Sequence, residues 1–230
     1  MKHKLFHLAG VILIISGSIF IMLPEISSWI FHIKSEQTIN NLKKRTQGQK
    51  ELDALYQKAY QYNQKIYRQK QRGLKDIKSY ETAQMILPYN KTVFGYITIS
   101  KIKEKLPLYL GADKENLKKG AAILGQTSLP IGNKNSNSVI AAHRGYQGIP
   151  YFREIDKLNR GDEIFITNPW EKLRYIVFDI EIIKPYEFDK IKIQKDKEMV
   201  TLLTCHPYRG NGKYRYAVYC IRKQGKTKEK

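Results

Sequence analysis

The stretch TLLTCHPYRGNGKYRYAVYC, Thr201 to Cys220, holds both cysteines of the chain, and its two apolar runs read as strands joined by a turn. A cysteine does covalent chemistry as its thiolate, and it needs a proton carrier and a cation near the charge that develops. Cys205 ends the run MVTLLTC just before the turn-forming pair His206-Pro207, where a side chain emerges from a sheet. His143 ends the run NSVIAAH in the same way, before Gly145 opens a loop. His3, His7 and His32 lie in or beside an N-terminal apolar segment, which leaves His143 and His206 as the imidazoles of the remaining chain. Arg215 opens the strand that follows the RGNGK turn, ten residues after Cys205, and returns beside Cys205 if the two strands are neighbours. The period of two puts Arg215, Ala217, Tyr219 and Ile221 on one face and Tyr214, Tyr216, Val218 and Cys220 on the other. Cys205 is therefore the candidate nucleophile, and Cys220 reads as a packing residue. The fifteen-residue separation of the two cysteines also permits a disulfide across a hairpin.

Other chemistries have weaker sequence support. Cys205, His206, Cys220 and His143 could be gathered round zinc, but the chain has no C-x-x-C or H-x-x-x-H pair. It carries no Gly-rich phosphate loop and no paired-carboxylate motif, so neither cofactor nor metal is expected. In a papain-like protease the cysteine precedes the histidine in a C-G-x-C-W context, whereas here His143 comes first.

The elements that must position these groups begin near Phe94. Short apolar strands are expected at 94–100, 106–110, 137–143, 162–168, 173–183, 199–205 and 214–223, separated by turns such as GNKNSN and NRGD. Seven or eight such strands with few helices between them predict a mainly β fold, a closed or nearly closed barrel. Two patches, 113–122 and 149–161, read as short helices. Upstream, Ser35 to Gly73 has no proline and no apolar run, and Leu52, Leu55, Tyr56, Ala59, Tyr62, Ile66 and Tyr67 recur at helical spacing, which predicts a helical spacer lying on the domain.

The formal net charge of +20 calls for an anionic partner or surface. Leu8 to Pro24 is uncharged and follows the basic start MKHK, ISSWIF extends the apolar run past Glu25, and no small-x-small cleavage site follows. The reading is an uncleaved anchor over 1–31, a helical extension and linker over 32–90, a barrel domain over 91–223 outside the cytoplasm, and a basic tail over 224–230. This placement argues against nucleic acid and for a membrane partner, with anionic cell-wall polymer or lipid head groups facing the basic surface.

The chain resembles the sortases. GYITISKI, LPLYLGADKENLKKGAAILGQTSLPIGN, NSVIAAHRG and TLLTCHPY occur in that family's order between about Phe94 and Arg222. The resemblance implies a cysteine transpeptidase with a sortase-like barrel that cleaves an LPxTG-like sorting signal between Thr and Gly and passes the acyl group to an amine. It implies His143 as the proton-transferring histidine, Cys205 as the nucleophile and Arg215 as the substrate-orienting or oxyanion-stabilising arginine, without a cofactor. The helical extension and the TSLPIGN segment most resemble class C, pilus-type members, for which the partners would be pilins and the acceptor a pilin lysine. An anchoring member would use peptidoglycan instead. The Asp-Pro-aromatic lid motif of many class C members is absent, no apolar segment follows Ile221, and the Cys205-to-Arg215 interval is long for that class. An accessible site is expected, unless Tyr80 or the Leu87-Pro88-Tyr89 corner substitutes for the lid.

Overall fold

The computed structural model describes residues 2–44, 48–81 and 93–223. Eight strands close into one barrel: β1 (Gly95–Ile99), β2 (Glu104–Leu110), β3 (Ala121–Ile123), β4 (Ser136–Ala141), β5 (Glu163–Thr167), β6 (Lys172–Ile183), β7 (Glu198–His206) and β8 (Tyr214–Arg222). Their order round the barrel is β1-β2-β3-β4-β7-β8-β6-β5, with β5 returning to β1. The β2/β3 and β4/β7 pairs are parallel and the others antiparallel. β3 was not among the expected strands. GAA, read as the end of a helical patch, instead leaves helix α3 (Lys114–Lys119) at Gly120 and pairs with β2. Ala-rich sequence favours a helix locally, but Gly120 turns the backbone extended and brings its own Cα against the Pro107 carbonyl, where an added Cβ would lie 2.4 Å from that oxygen. The second expected helix, 149–161, reduces to one 3-10 turn over Ile155–Lys157.

The apolar side chains form two layers. Inside the barrel, Ile97, Leu106, Leu108, Ile140, Ile164, Leu173, Val200, Leu202, Val218 and Cys220 pack together. A second cluster, with Ala122, Val139, Leu203, Ala217 and Tyr219, lies on the outer face of β3, β4, β7 and β8. It is covered by Leu74, Ile191, Tyr80, Leu117 and Phe188 from the surrounding segments. These strands are therefore buried on both faces, which explains their nearly continuous apolar runs. Strand β1, with alternating buried and half-buried residues, is one-sided.

Helix α1 runs from Lys2 to Lys44 without interruption at the expected boundary near residue 31, and it is long and apolar enough to cross a membrane. Its outer half packs on the barrel: the Phe31 and Tyr151 rings meet edge to face with centroids 4.9 Å apart. Helix α2 (Gln49–Arg68) buries Leu55, Ala59, Asn63 and Ile66 along one stripe. Asn63 is the member of that stripe that hydrophobic spacing missed. Its amide donates to the Leu129 carbonyl (2.9 Å) and accepts from the Leu129 N–H (2.8 Å), pairing a buried loop as a strand would. The basic tail 224–230 lies outside the described residues.

Candidate active site

The ends of β4, β7 and β8 carry the three groups singled out by sequence, and one cleft of about 320 Å³ on the outer face receives all of them. In the β7/β8 register Cys205 stands opposite Arg215, one step beyond the Leu203/Ala217 pair of the outer layer. The strand alternation sends Cys220 into the barrel interior instead, where it is fully buried and burial pushes its thiol well above the ordinary range. Both cysteines are free, Cys205 exposed and Cys220 buried. The face of the sheet thus decides which thiol is accessible and which is buried.

Arg215 is pinned at the mouth of the turn. Its Nη1 donates to the Gly212 carbonyl (2.7 Å) and to the Tyr214 carbonyl (3.0 Å). Gly212 has φ +66°, and a Cβ placed there would stand 3.6 Å from Cys205 Sγ and 3.8 Å from Arg215 Nη1. Thiol and guanidinium therefore meet at this glycine, whose left-handed backbone lets the turn close over them.

His143 follows β4, which runs parallel to β7 up to the Ala141/Leu203 pair. Its ring stacks on Tyr146 with centroids 4.8 Å apart and meets the edge of Tyr151 at 5.6 Å, and its carbonyl accepts from the Phe152 N–H at 2.9 Å. Burial lowers its pKa, because the imidazolium loses hydration. Such an imidazolium is a stronger acid than one in water.

The remaining walls are largely apolar, from Ala112, Leu117, Leu124, Ala141 and Leu203, with the exposed residues Glu81 and Lys114 also on the lining. Tyr80 closes one side. The 3-10 turn Ile77–Tyr80 is capped by Asp76, which accepts from the Ser79 N–H, and the Tyr80 carbonyl takes bonds from Ala112 N (2.8 Å) and Gly125 N (2.9 Å). Burial pushes the Tyr80 phenol up to about 12, with the nearby Arg215 charge opposing the shift. Tyr80 thus lines the cleft while Cys205 stays exposed. The Leu87-Pro88-Tyr89 corner lies outside the described residues. Arg144 and His206, which directly follow His143 and Cys205 in sequence, are bonded to each other across the strand ends. Only the pairing of β4 with β7, whose partner residues lie 62 positions apart in sequence, brings them together, and no local pattern reports it.

Residues 97–223 match the model of the Sortase domain, more than half of the chain. The chain belongs to the sortase family. Among curated relatives it is 29% identical over 127 residues to sortase D of Bacillus subtilis (strain 168), covering 54% of this chain and 61% of that protein. The match therefore spans about three fifths of that relative's length. Among solved structures, sortase C1 of GBS pilus island 1 superimposes with a TM-score of 0.75 at 29% identity, covering 85% of this chain and 96% of that one. Clostridium perfringens sortase C, solved with the C-terminal cell wall sorting motif, has a TM-score of 0.71 at 33% identity and covers 83% of this chain and 100% of its own. These likenesses extend beyond the barrel into the helical extension, since the barrel match alone ends at residues 97 and 223.

Proposed function

We propose that the chain is a membrane-held cysteine transpeptidase that joins LPxTG-like sorting signals to an amine, with a pilin lysine as the acceptor. The observation that carries this reading is the convergence of Cys205, His143 and Arg215 on one largely apolar cleft of a sortase barrel. The Leu-Pro portion of a signal would pack on Leu117, Leu124 and Leu203, leaving the Thr-Gly bond over Cys205. The Cys205 thiolate attacks the Thr carbonyl carbon, and the oxyanion is met by Arg215 and a backbone N–H near Cys205. As the C–N bond breaks, the His143 imidazolium gives its proton to the departing glycine amine, leaving a thioester. The incoming amine attacks that thioester and loses a proton to His143, and the C–S bond breaks to restore the thiolate and the imidazolium. Apolar walls strengthen each of these charge interactions by excluding water.

The likeness to a pilus-island sortase C supports a pilin lysine over peptidoglycan. Membrane attachment is supported by Val11, Leu13, Ile14 and Met22, which α1 leaves unburied. The positive-inside rule then places the barrel outside the cytoplasm, where the excess of lysine and arginine faces the anionic envelope. Product analysis by mass spectrometry tests the reaction: with an LPxTG-like peptide and a lysine-bearing peptide, the expected product is the amide joining the two. Free Thr acid as the sole product at every amine concentration would mark a plain endopeptidase and defeat the proposal.

A further inference from the structure

Behind the site, on the inner side of the same strand ends, stands a second trio. Arg144, His206 and Tyr216 each follow one of His143, Cys205 and Arg215 by a single residue. Strand alternation sends His206 of β7 and Tyr216 of β8 to the opposite face, and the bend that follows β4 brings Arg144 to them. There they converge: Arg144 Nη1 lies 2.7 Å from His206 Nδ1, the guanidinium sits 5.3 Å from the Tyr216 ring centroid, and the His206 and Tyr216 rings are 5.8 Å apart. The Arg144 side chain is only 5% exposed, and its Nη2 donates to Asp156 Oδ2 at 2.7 Å. A guanidinium has no lone pair to offer, so His206 must accept through Nδ1 and carry its proton on Nε2.

We propose that Arg144 and His206 are positioning residues, a clasp that fixes the separation of His143 and Cys205, given the sortase reaction set out above. The β4/β7 pairing ends at Ala141 and Leu203, so no backbone ladder bond crosses between the two site residues themselves. Two side-chain bonds bracket them instead. On the near side the Thr204 hydroxyl donates to the Ala142 carbonyl at 2.8 Å, and on the far side Arg144 donates to His206. Asp156 and Tyr216 hold the guanidinium still, from the 3-10 turn and from β8. Losing the far bond frees the loop that carries His143, and misplacement of a proton donor is costly in turnover rather than in substrate binding.

The test uses the full chain in detergent micelles with an LPxTG-like peptide and an amine, comparing wild type, His206→Ala and His206→Asn, with Cys205→Ala as the blank. Asn can present Oδ1 to Arg144 where the imidazole presented Nδ1. The expected result for His206→Ala is a kcat lowered about tenfold, a KM within about twofold and an unfolding midpoint within about 2 °C; His206→Asn recovers to within about threefold of wild type. An unchanged kcat in His206→Ala, an equal loss in both variants, a loss confined to KM, or a loss that tracks the unfolding midpoint would each overturn the clasp. Should wild type fail to turn the peptide over, the functional reading falls, and the clasp is judged by iodoacetamide alkylation of Cys205 at neutral pH. Alkylation about fivefold slower in His206→Ala and restored in His206→Asn supports it, because the thiolate depends on the placed imidazole; equal rates refute it.

Discussion

The two sides of the barrel are built differently. β1 is one-sided, with apolar residues facing inward and half-buried ones facing solvent. β4 and β7 are buried on both faces over most of their length, and a second layer from the linker, α3 and the 188–191 turn lies over them. The cleft forms where that outer cover stops short, so Cys205 emerges at the edge of an apolar layer rather than on an open sheet. A bare strand end would leave the thiol in water, whereas this edge gives one exposed group and nearby low-dielectric walls.

Neighbouring leucines on β7 sharpen the contrast most strongly. Leu202 packs inside the barrel and Leu203 in the outer layer beside Cys205. Leu202→Ala is expected to lower stability by about 3–4 kcal/mol, and Leu203→Ala by about 2–3 kcal/mol because the edge can partly collapse. Denaturant unfolding measures both losses. Leu203→Ala should also raise KM for an LPxTG-like peptide several-fold while Leu202→Ala does not, and the reverse pattern would break the two-layer description.

The barrel interior has its own ionisable group. Glu104 shares the inward face of β2 with Leu106 and Leu108, and burial lifts its carboxyl to about 8, Arg153 opposing. The folded pKa lies above the unfolded one, so the stabilisation is full below the unfolded value and is lost as pH rises through the folded value. Between pH 6 and 8 the protein is expected to lose about 2 kcal/mol from this group. Glu104→Gln should flatten that loss in urea titrations. An equally steep loss in the variant would show that the carboxyl is ionised in the folded interior.

The smallest effect concerns the cover. Tyr80→Ala removes a half-buried ring beside Phe188, whose centroid is 6.1 Å away. It should cost about 1–2 kcal/mol of stability, yet change Cys205 alkylation by less than about threefold, because the thiol is already exposed. A tenfold acceleration would make Tyr80 a lid.

The same contrast decides what could be read in advance. Alternation in β8 separated Arg215 from Cys220, and the apolar runs ending at His143 and Cys205 marked strand ends, because each signal is local. β3 was hidden by helix-favouring alanines whose pairing with β2 is a tertiary choice. Asn63 was hidden because a polar residue in an apolar stripe carries no periodic signal, although its partner Leu129 lies 66 residues away and requires it. The bond between Arg144 and His206 spans 62 residues and depends on which strands become neighbours.

The most direct test of the central claim, that Cys205 at this edge forms the acyl-enzyme, is intact-protein mass spectrometry after mixing the full chain with an LPxTG-like peptide at low amine. The expected result is one mass increment equal to the acyl fragment up to Thr, located on Cys205 by peptide mapping, discharged by a lysine-bearing acceptor, and missing in Cys205→Ala. An increment of the same size that persists in Cys205→Ala, or peptide turnover in that variant at the wild-type rate, would contradict it.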